Sequence, residues 1–271
     1  MLRCAATTFH ERRYGGVSDL RLAYTSDGPV DAPALVLGNS LGTTTAMWEP
    51  QLESLSRHFR VVRWDLPGHG RSPRPDHPLT VASIGAAVVA MLDQLDLPRV
   101  SYCGVSIGGM VGISVASRDP GRVHRLALCC TSAHLGAERA WLDRAATVRA
   151  SGMSAVATPV ISRWFTDRFC NEMPDVVEAL TASFRSIDAE GYALCCEALA
   201  FLDLRPALAL IESPTLVVTA ADDHATPPDH GAAIAAAVAG SRLVCVEHAA
   251  HLATVERADR ITPLLLEHLV P

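Results

Sequence analysis

Gly104-Val105-Ser106-Ile107-Gly108-Gly109 is the stretch on which the fold turns. Before it, Arg99 to Val105 is short and apolar and reads as a buried strand. After it, Ile107 to Ser117 reads as a helix. Gly-x-Ser-x-Gly between strand and helix puts a serine on a sharp, strained turn, and the flanking glycines leave the room that such a turn needs. The turn lifts the Ser106 hydroxyl above the end of a sheet. The helix that follows aims its N-terminus at the same place and favours negative charge developing there.

Outward from this elbow, apolar runs alternate with helical patterns. Ala34 to Gly38, Arg60 to Trp64, Val123 to Cys130, Thr215 to Thr219 and Arg242 to Val246 read as further strands, each short and bounded by turn residues. Val81 to Leu95 is the clearest helix, with Ile84, Val88, Met91, Leu92 and Leu95 on one face and Thr80 placed to cap its start. Ile261 to Leu269 forms the last helix. Such alternation predicts a mostly parallel sheet covered on both faces. Residues 134–205 break the pattern: helix-like segments surround Trp141, Ala155, Val177 and Ala198, and no good strand occurs. The chain therefore divides into a core, residues 1–133 and 206–271, and a helical cap, residues 134–205. In open sheets of this kind ligands bind outside the carboxyl ends of the strands, so the cap is expected over that end.

Serine is a weak nucleophile until a base, itself held by a third group, takes its proton. After an elbow of this type the partners follow in the order acid, then histidine. Behind the strand at Thr215 comes Asp222-Asp223-His224, and Asp223 is the chosen acid, Asp222 the alternative. Behind the last strand comes Glu247-His248-Ala249-Ala250-His251, and His251 is the chosen base because it lies further out along the loop. His248 reads as a hydrogen-bonded histidine at the strand end, and the remaining histidines as surface or loop residues. An acyl transfer site also needs two amides where the carbonyl oxygen becomes charged. Ile107, next to the nucleophile, supplies one. Leu41, in the loop Asn39-Ser40-Leu41-Gly42, supplies the other.

Bulk properties narrow the class. The 271 residues are 49% hydrophobic and 19% charged, enough for a large buried core. A formal net charge of −6 without a basic run argues against nucleic-acid binding. No apolar stretch nears bilayer length, so no membrane partner is expected. Of the eight cysteines, none forms a C-x-x-C pair, and no metal is expected. The adjacent pairs Cys129-Cys130 and Cys195-Cys196 read as reduced, buried thiols of a cytoplasmic protein.

Four stretches resemble the 3-oxoadipate enol-lactone hydrolases of aromatic-acid catabolism, a family of the α/β-hydrolase superfamily. They are Asn39-Ser40-Leu41-Gly42-Thr43 with Met47-Trp48-Glu49-Pro50-Gln51, the elbow through Met110, Gly191-Tyr192-Ala193-Leu194-Cys195-Cys196-Glu197-Ala198-Leu199, and Asp223 to Pro228 paired with Ala249-Ala250-His251-Leu252. The likeness runs from Arg21 to about Val270. It departs at Ala253 and Thr254, where a serine or asparagine is usual, and at Ala258, where a proline is frequent. The resemblance implies the α/β-hydrolase fold, with a mostly parallel eight-stranded sheet and the helical cap inserted late in it. It also implies hydrolysis of a small anionic lactone by Ser106, Asp223 and His251 without a cofactor, and it leaves homo-oligomerisation open. A buried carboxylate on the substrate calls for a cation or several donors. The cap offers Arg139, Arg144, Arg149, Arg163 and Arg168. Arg139 and Arg144, with Trp141, Trp164 and Ser40, are the candidates for substrate binding. Trp48 reads as packing.

Overall fold

A computed structural model describes residues 20–270. Among them lie seven strands, β1 (Tyr24–Asp27), β2 (Ala34–Gly38), β3 (Arg60–Trp64), β4 (Val100–Val105), β5 (Val123–Cys129), β6 (Thr215–Ala220) and β7 (Arg242–Val246). They form one sheet in the order β1-β3-β2-β4-β5-β6-β7. β1 runs antiparallel to β3, and every other pairing is parallel. The described residues thus hold seven strands where eight were expected, and residues 1–19 fall outside the description. The central strands β2, β4 and β6 are buried along their whole length, as parallel strands covered on both faces must be.

The helices are α1 (Glu49–Ser56), α2 (Val81–Gln94), α3 (Ile107–Arg118), α4 (Glu138–Ser151), α5 (Ser154–Ile161), α6 (Asp167–Glu172), α7 (Pro174–Arg185), α8 (Ala189–Ala200), α9 (Pro228–Ala237), α10 (Ala253–Glu256) and α11 (Ala258–Leu269). Thr80 caps α2 through a reciprocal pair with Ser83, at 3.0 Å in each direction. That geometry satisfies backbone donors the first turn would otherwise leave orphaned. Five helices, α4 to α8, lie between β5 and β6.

Two short pieces show no helical or strand periodicity in the sequence. β1 is a four-residue, half-buried strand, YTSD, whose polar residues hide its pairing with β3. The turn 40–43 leads into α1 through Trp48, which is fully buried and donates its indole N–H to Asn39 Oδ1 at 3.0 Å. The Asn39 amide nitrogen donates in turn to the Trp64 carbonyl at 2.8 Å. Asn39 therefore pins the loop after β2 to the end of β3, a buried polar group with its bonds filled.

Candidate active site

The elbow forms because its neighbours lack side chains. A Cβ on Gly104 would run into the Gly108 carbonyl, and one on Gly108 into the Gly38 carbonyl. Helix α3 thereby lies against the ends of β2 and β4. Ser106 takes φ 56°, ψ −122°, outside the ordinary regions for an L-residue. Such a conformation costs about 1–3 kcal/mol and persists only where surrounding bonds enforce it. Here they do: the Ser106 amide donates to the carbonyls of Cys129 and Cys130, both at 3.1 Å, and the Thr131 hydroxyl donates to the Ser106 carbonyl at 2.6 Å.

Asp223 and His251 come from the loops after β6 and β7. Both are buried, at 2% and 4% exposure, although loop residues are ordinarily the most accessible. His251 Nδ1 faces both Asp223 oxygens, at 2.9 and 3.2 Å. Asp223 also accepts the amides of Ala225 and Thr226 and the Thr226 hydroxyl, at 2.8, 2.9 and 2.8 Å. Burial raises the Asp223 pKa. The His251 charge and the hydrogen bonds from His251 and Thr226 outweigh it and hold the carboxyl below the usual carboxylate range. With Nδ1 committed to Asp223, Nε2 turns toward the loop after β2, where Ser40 Oγ lies 3.4 Å away. That loop and the elbow are neighbours: the Gly108 amide donates to the Asn39 carbonyl at 3.1 Å. The competing residues stand apart, since Asp222 is exposed and His248 is exposed in a left-handed turn rather than bonded at the strand end.

The two expected oxyanion amides occupy the same corner. Among the described residues no loop or turn carbonyl takes the N–H of Leu41 or of Ile107. Ser40 to Thr43 form a turn closed by Thr43 N–H to Ser40 O at 3.2 Å, and Gly42 has φ +84°. The Phe184 ring and the edge of the Trp164 indole cover Gly42 so closely that no Cβ would fit.

The cap residues sort by their partners. Arg139 is exposed and paired with Asp143 at 2.9 Å. Arg149 ties α4 to α8 through Glu190 at 2.7 Å and through Glu197. Arg163 and Arg168 are exposed. Arg144 is half-buried, and its guanidinium sits 4.5 Å over the Trp141 ring. No carboxylate among the described residues pairs with it. Burial pushes the pKa of the fully buried Tyr192 hydroxyl up, and the Arg144 guanidinium beside it acts the other way. Trp164 is buried in an edge-on stack with Phe184, ring centroids 5.6 Å apart.

Three groups near the site escaped the sequence reading. Thr226 seats Asp223. Glu256 is buried and accepts the amide and hydroxyl of Thr166 as well as the Ala250 amide, the last at 2.9 Å. His69, expected at a surface or loop position, is fully buried in the loop after β3. Its setting, Asp65-Leu66-Pro67-Gly68-His69-Gly70, is a tight polar turn in sequence, and only its glycines hint that something packs against it. Among the described residues no group of His, Cys, Asp or Glu could hold a metal, and no helix is long and apolar enough to cross a membrane. The described cysteines are all unpaired, with Cys129, Cys130, Cys195 and Cys196 buried.

Comparison with known proteins follows the same lines. The alpha/beta hydrolase fold family matches residues 33–258. A 3-oxoadipate enol-lactonase of Acinetobacter baylyi is 37% identical over 92% of this chain and 93% of its own. A second from the same organism is 31% identical, over 88% and 89%. The crystal structure of the enol-lactonase from Burkholderia xenovorans superposes with a TM-score of 0.92 at 40% identity, covering 96% of this chain and all of the other, 100%.

Proposed function

The chain belongs to the alpha/beta hydrolase fold family, and within it to the 3-oxoadipate enol-lactonases; from that premise we propose that it hydrolyses 3-oxoadipate enol-lactone to 3-oxoadipate through Ser106, His251 and Asp223. The observation that carries this reading is the buried Asp223–His251 pair whose second ring nitrogen, Nε2, faces the loop after β2, beside the elbow that bears Ser106.

The chemistry runs through these residues. His251 Nε2 takes the proton of Ser106 as its oxygen attacks the lactone carbonyl. The Leu41 and Ile107 amides hold the oxygen as it becomes negative. Collapse of the tetrahedral intermediate breaks the ring C–O bond, and the enol oxygen leaves with the proton that His251 returns. Tautomerisation of this enol to a ketone makes ring opening hard to reverse. Water, deprotonated by His251, then attacks the acyl-serine and frees the acid and Ser106. Asp223 keeps the imidazole in the tautomer that accepts at Nε2 and stabilises its charged form. Ser40 lines the same corner, its hydroxyl 3.4 Å from Nε2.

For the substrate carboxylate we assign Arg144, because it is the cap arginine that is half-buried and not matched by a carboxylate. Trp141 holds the guanidinium plane, and Trp164 walls the site beside Gly42. Arg139, spent on Asp143, drops out.

The direct test is to generate the enol-lactone enzymatically and follow its ultraviolet absorbance with the purified protein. Rapid loss of the lactone signal is expected. A rate no greater than the blank, with turnover instead of vinylogous diketones or simple p-nitrophenyl esters, overturns the substrate assignment.

A further inference from the structure

We infer that His69 is a positioning residue for the oxyanion hole, holding the loop that presents the Leu41 amide by accepting the neighbouring Gly42 amide on its ring nitrogen. The inference rests on the proposed serine mechanism and adds to it a group from the loop after a different strand.

The geometry is as follows. β3 lies next to β2, so the loops that leave their carboxyl ends are side by side. His69 Nδ1 faces the Pro67 carbonyl at 3.0 Å, and a carbonyl can only accept, so Nδ1 carries the proton. Nε2 is then a bare lone pair, and the Gly42 N–H donates to it at 3.2 Å. The ring is fully buried, and burial drives its pKa down to about 4, so the accepting form persists at neutral pH. At the start of the same segment Asp65 accepts the Thr45 amide at 2.8 Å. The loop that leaves β2 is thus gripped at Gly42 and at Thr45 by two side chains that follow β3.

The grip at Gly42 decides the turn. With Leu41 at negative φ and Gly42 at +84°, Ser40 to Thr43 form a type II turn. Type II and type I differ by a half-rotation of the central peptide, here Leu41–Gly42. His69 rewards one orientation, because only in it does the Gly42 N–H meet an acceptor. Without that acceptor a buried amide is orphaned, and the turn is released to other arrangements. Leu41 is the other central residue of this turn, so its amide keeps its aim only while the turn as a whole is held.

The cap supports His69 from behind. Tyr192 stacks on the imidazole at 6.1 Å between centroids and 29° between planes. Gly191, one residue earlier on α8, meets Gly68 backbone to backbone: a Cβ on either would lie 2.5 Å from the other's Cα. The Asp188 amide donates to the Gly68 carbonyl at 3.2 Å. The Gly191-Tyr192 segment, distinctive in sequence, thereby has a mechanical role at the oxyanion loop.

The test compares wild type, His69→Leu and His69→Gln, each checked for folding by circular dichroism. Two readouts are used: labelling of Ser106 by a fluorophosphonate, and kcat and KM for the enol-lactone. His69→Leu keeps bulk and loses the acceptor. It is expected to slow labelling and kcat by about 10- to 100-fold with KM within about twofold, short of the full loss of an oxyanion donor. His69→Gln offers a side-chain oxygen near the position of Nε2 and is expected to recover most of both rates. Folded His69→Leu with wild-type labelling, or with a loss confined to KM, overturns the inference. So does a His69→Gln that folds normally and gains nothing over His69→Leu. Wild type that resists the probe sinks the serine mechanism itself and leaves a different signature. Should neither variant fold, a trans-hydrogen-bond 15N–15N coupling between Gly42 N and His69 Nε2 in the wild type is the deciding signal, and a protonated Nε2 overturns the inference.

Discussion

At the scale of single residues, the chemistry depends on how few atoms are left free. Asp223 spends both oxygens on His251, Thr226 and the Ala225 amide, so its charge is fixed in place and the imidazole has one orientation left. Ser106→Ala is expected to lower kcat by about 10³-fold or more, read by the lactone absorbance assay. Asp223→Asn is expected to cost nearly as much, because an amide can satisfy Nδ1 in either tautomer and no longer favours the productive one. Arg144, as the proposed carboxylate anchor, is expected to act on a different kinetic constant. A lost charge-assisted bond to a carboxylate is worth about 1.5–3 kcal/mol, so Arg144→Gln should raise KM for the anionic lactone by about 10- to 100-fold. Hydrolysis of neutral p-nitrophenyl acetate by the same variant should be nearly unchanged. A parallel loss on both substrates would place Arg144 outside the carboxylate subsite.

At the scale of elements, the helices between β5 and β6 are fastened to the loops that carry the chemistry. The segment before α6 bonds directly to the loop after β7: the Leu252 amide donates to the Trp164 carbonyl at 2.9 Å, and the His251 amide to the Arg163 carbonyl at 3.4 Å. Glu256, on α10, joins the two by accepting from Thr166 on one side and Ala250 on the other. Replacing it by alanine orphans these buried donors. Glu256→Ala is expected to lower kcat at nearly constant affinity for a carboxylate product analogue, and to expose the Ala250 and Leu252 amides to faster hydrogen exchange. Unchanged exchange there would show that the latch does not hold the histidine loop. The contact of α8 with the loop after β3 is tighter still. Gly191→Ala forces a methyl into the Gly68 backbone, and overpacking of this kind costs about 1–3 kcal/mol, measurable as a lower Tm.

Across the whole molecule, the buried imidazole of His69 links stability to pH. An unfolded chain protonates that histidine near pH 6.5, whereas the folded one resists until about 4. Its contribution is full above pH 6.5 and is lost as the pH falls through that window, by about 1.4 kcal/mol for each unit. Asp223, held low, erodes stability in the same direction at more acid pH. Asp65 acts the other way, because burial raises its pKa and protonation relieves that cost. Urea titrations at pH 7 and pH 5 should therefore show a smaller loss for His69→Gln than for wild type, and an equal loss would remove His69 as the source. Much of this architecture is legible in the amino-acid order. β2, β3 and β7 fall at the residues that local apolar pattern indicates, the elbow is marked by its own glycines, and Ser106 and His251 are singled out by position after a strand. Local pattern works at β2 because burial on both faces leaves a continuous apolar run, at β7 because its run Leu243 to Val246 is apolar although the strand is mostly exposed, and at the elbow because a sharp turn excludes side chains in every context. It is silent on β1, whose YTSD is polar and gains its place only by pairing with β3. It is equally silent on which cap arginine is half-buried without a carboxylate, on the buried seats of His69 and Glu256, and on what Gly191 touches. Those are properties of pairs of residues far apart in the chain, and a bond between such groups exists only once the sheet order has brought their loops to the same end.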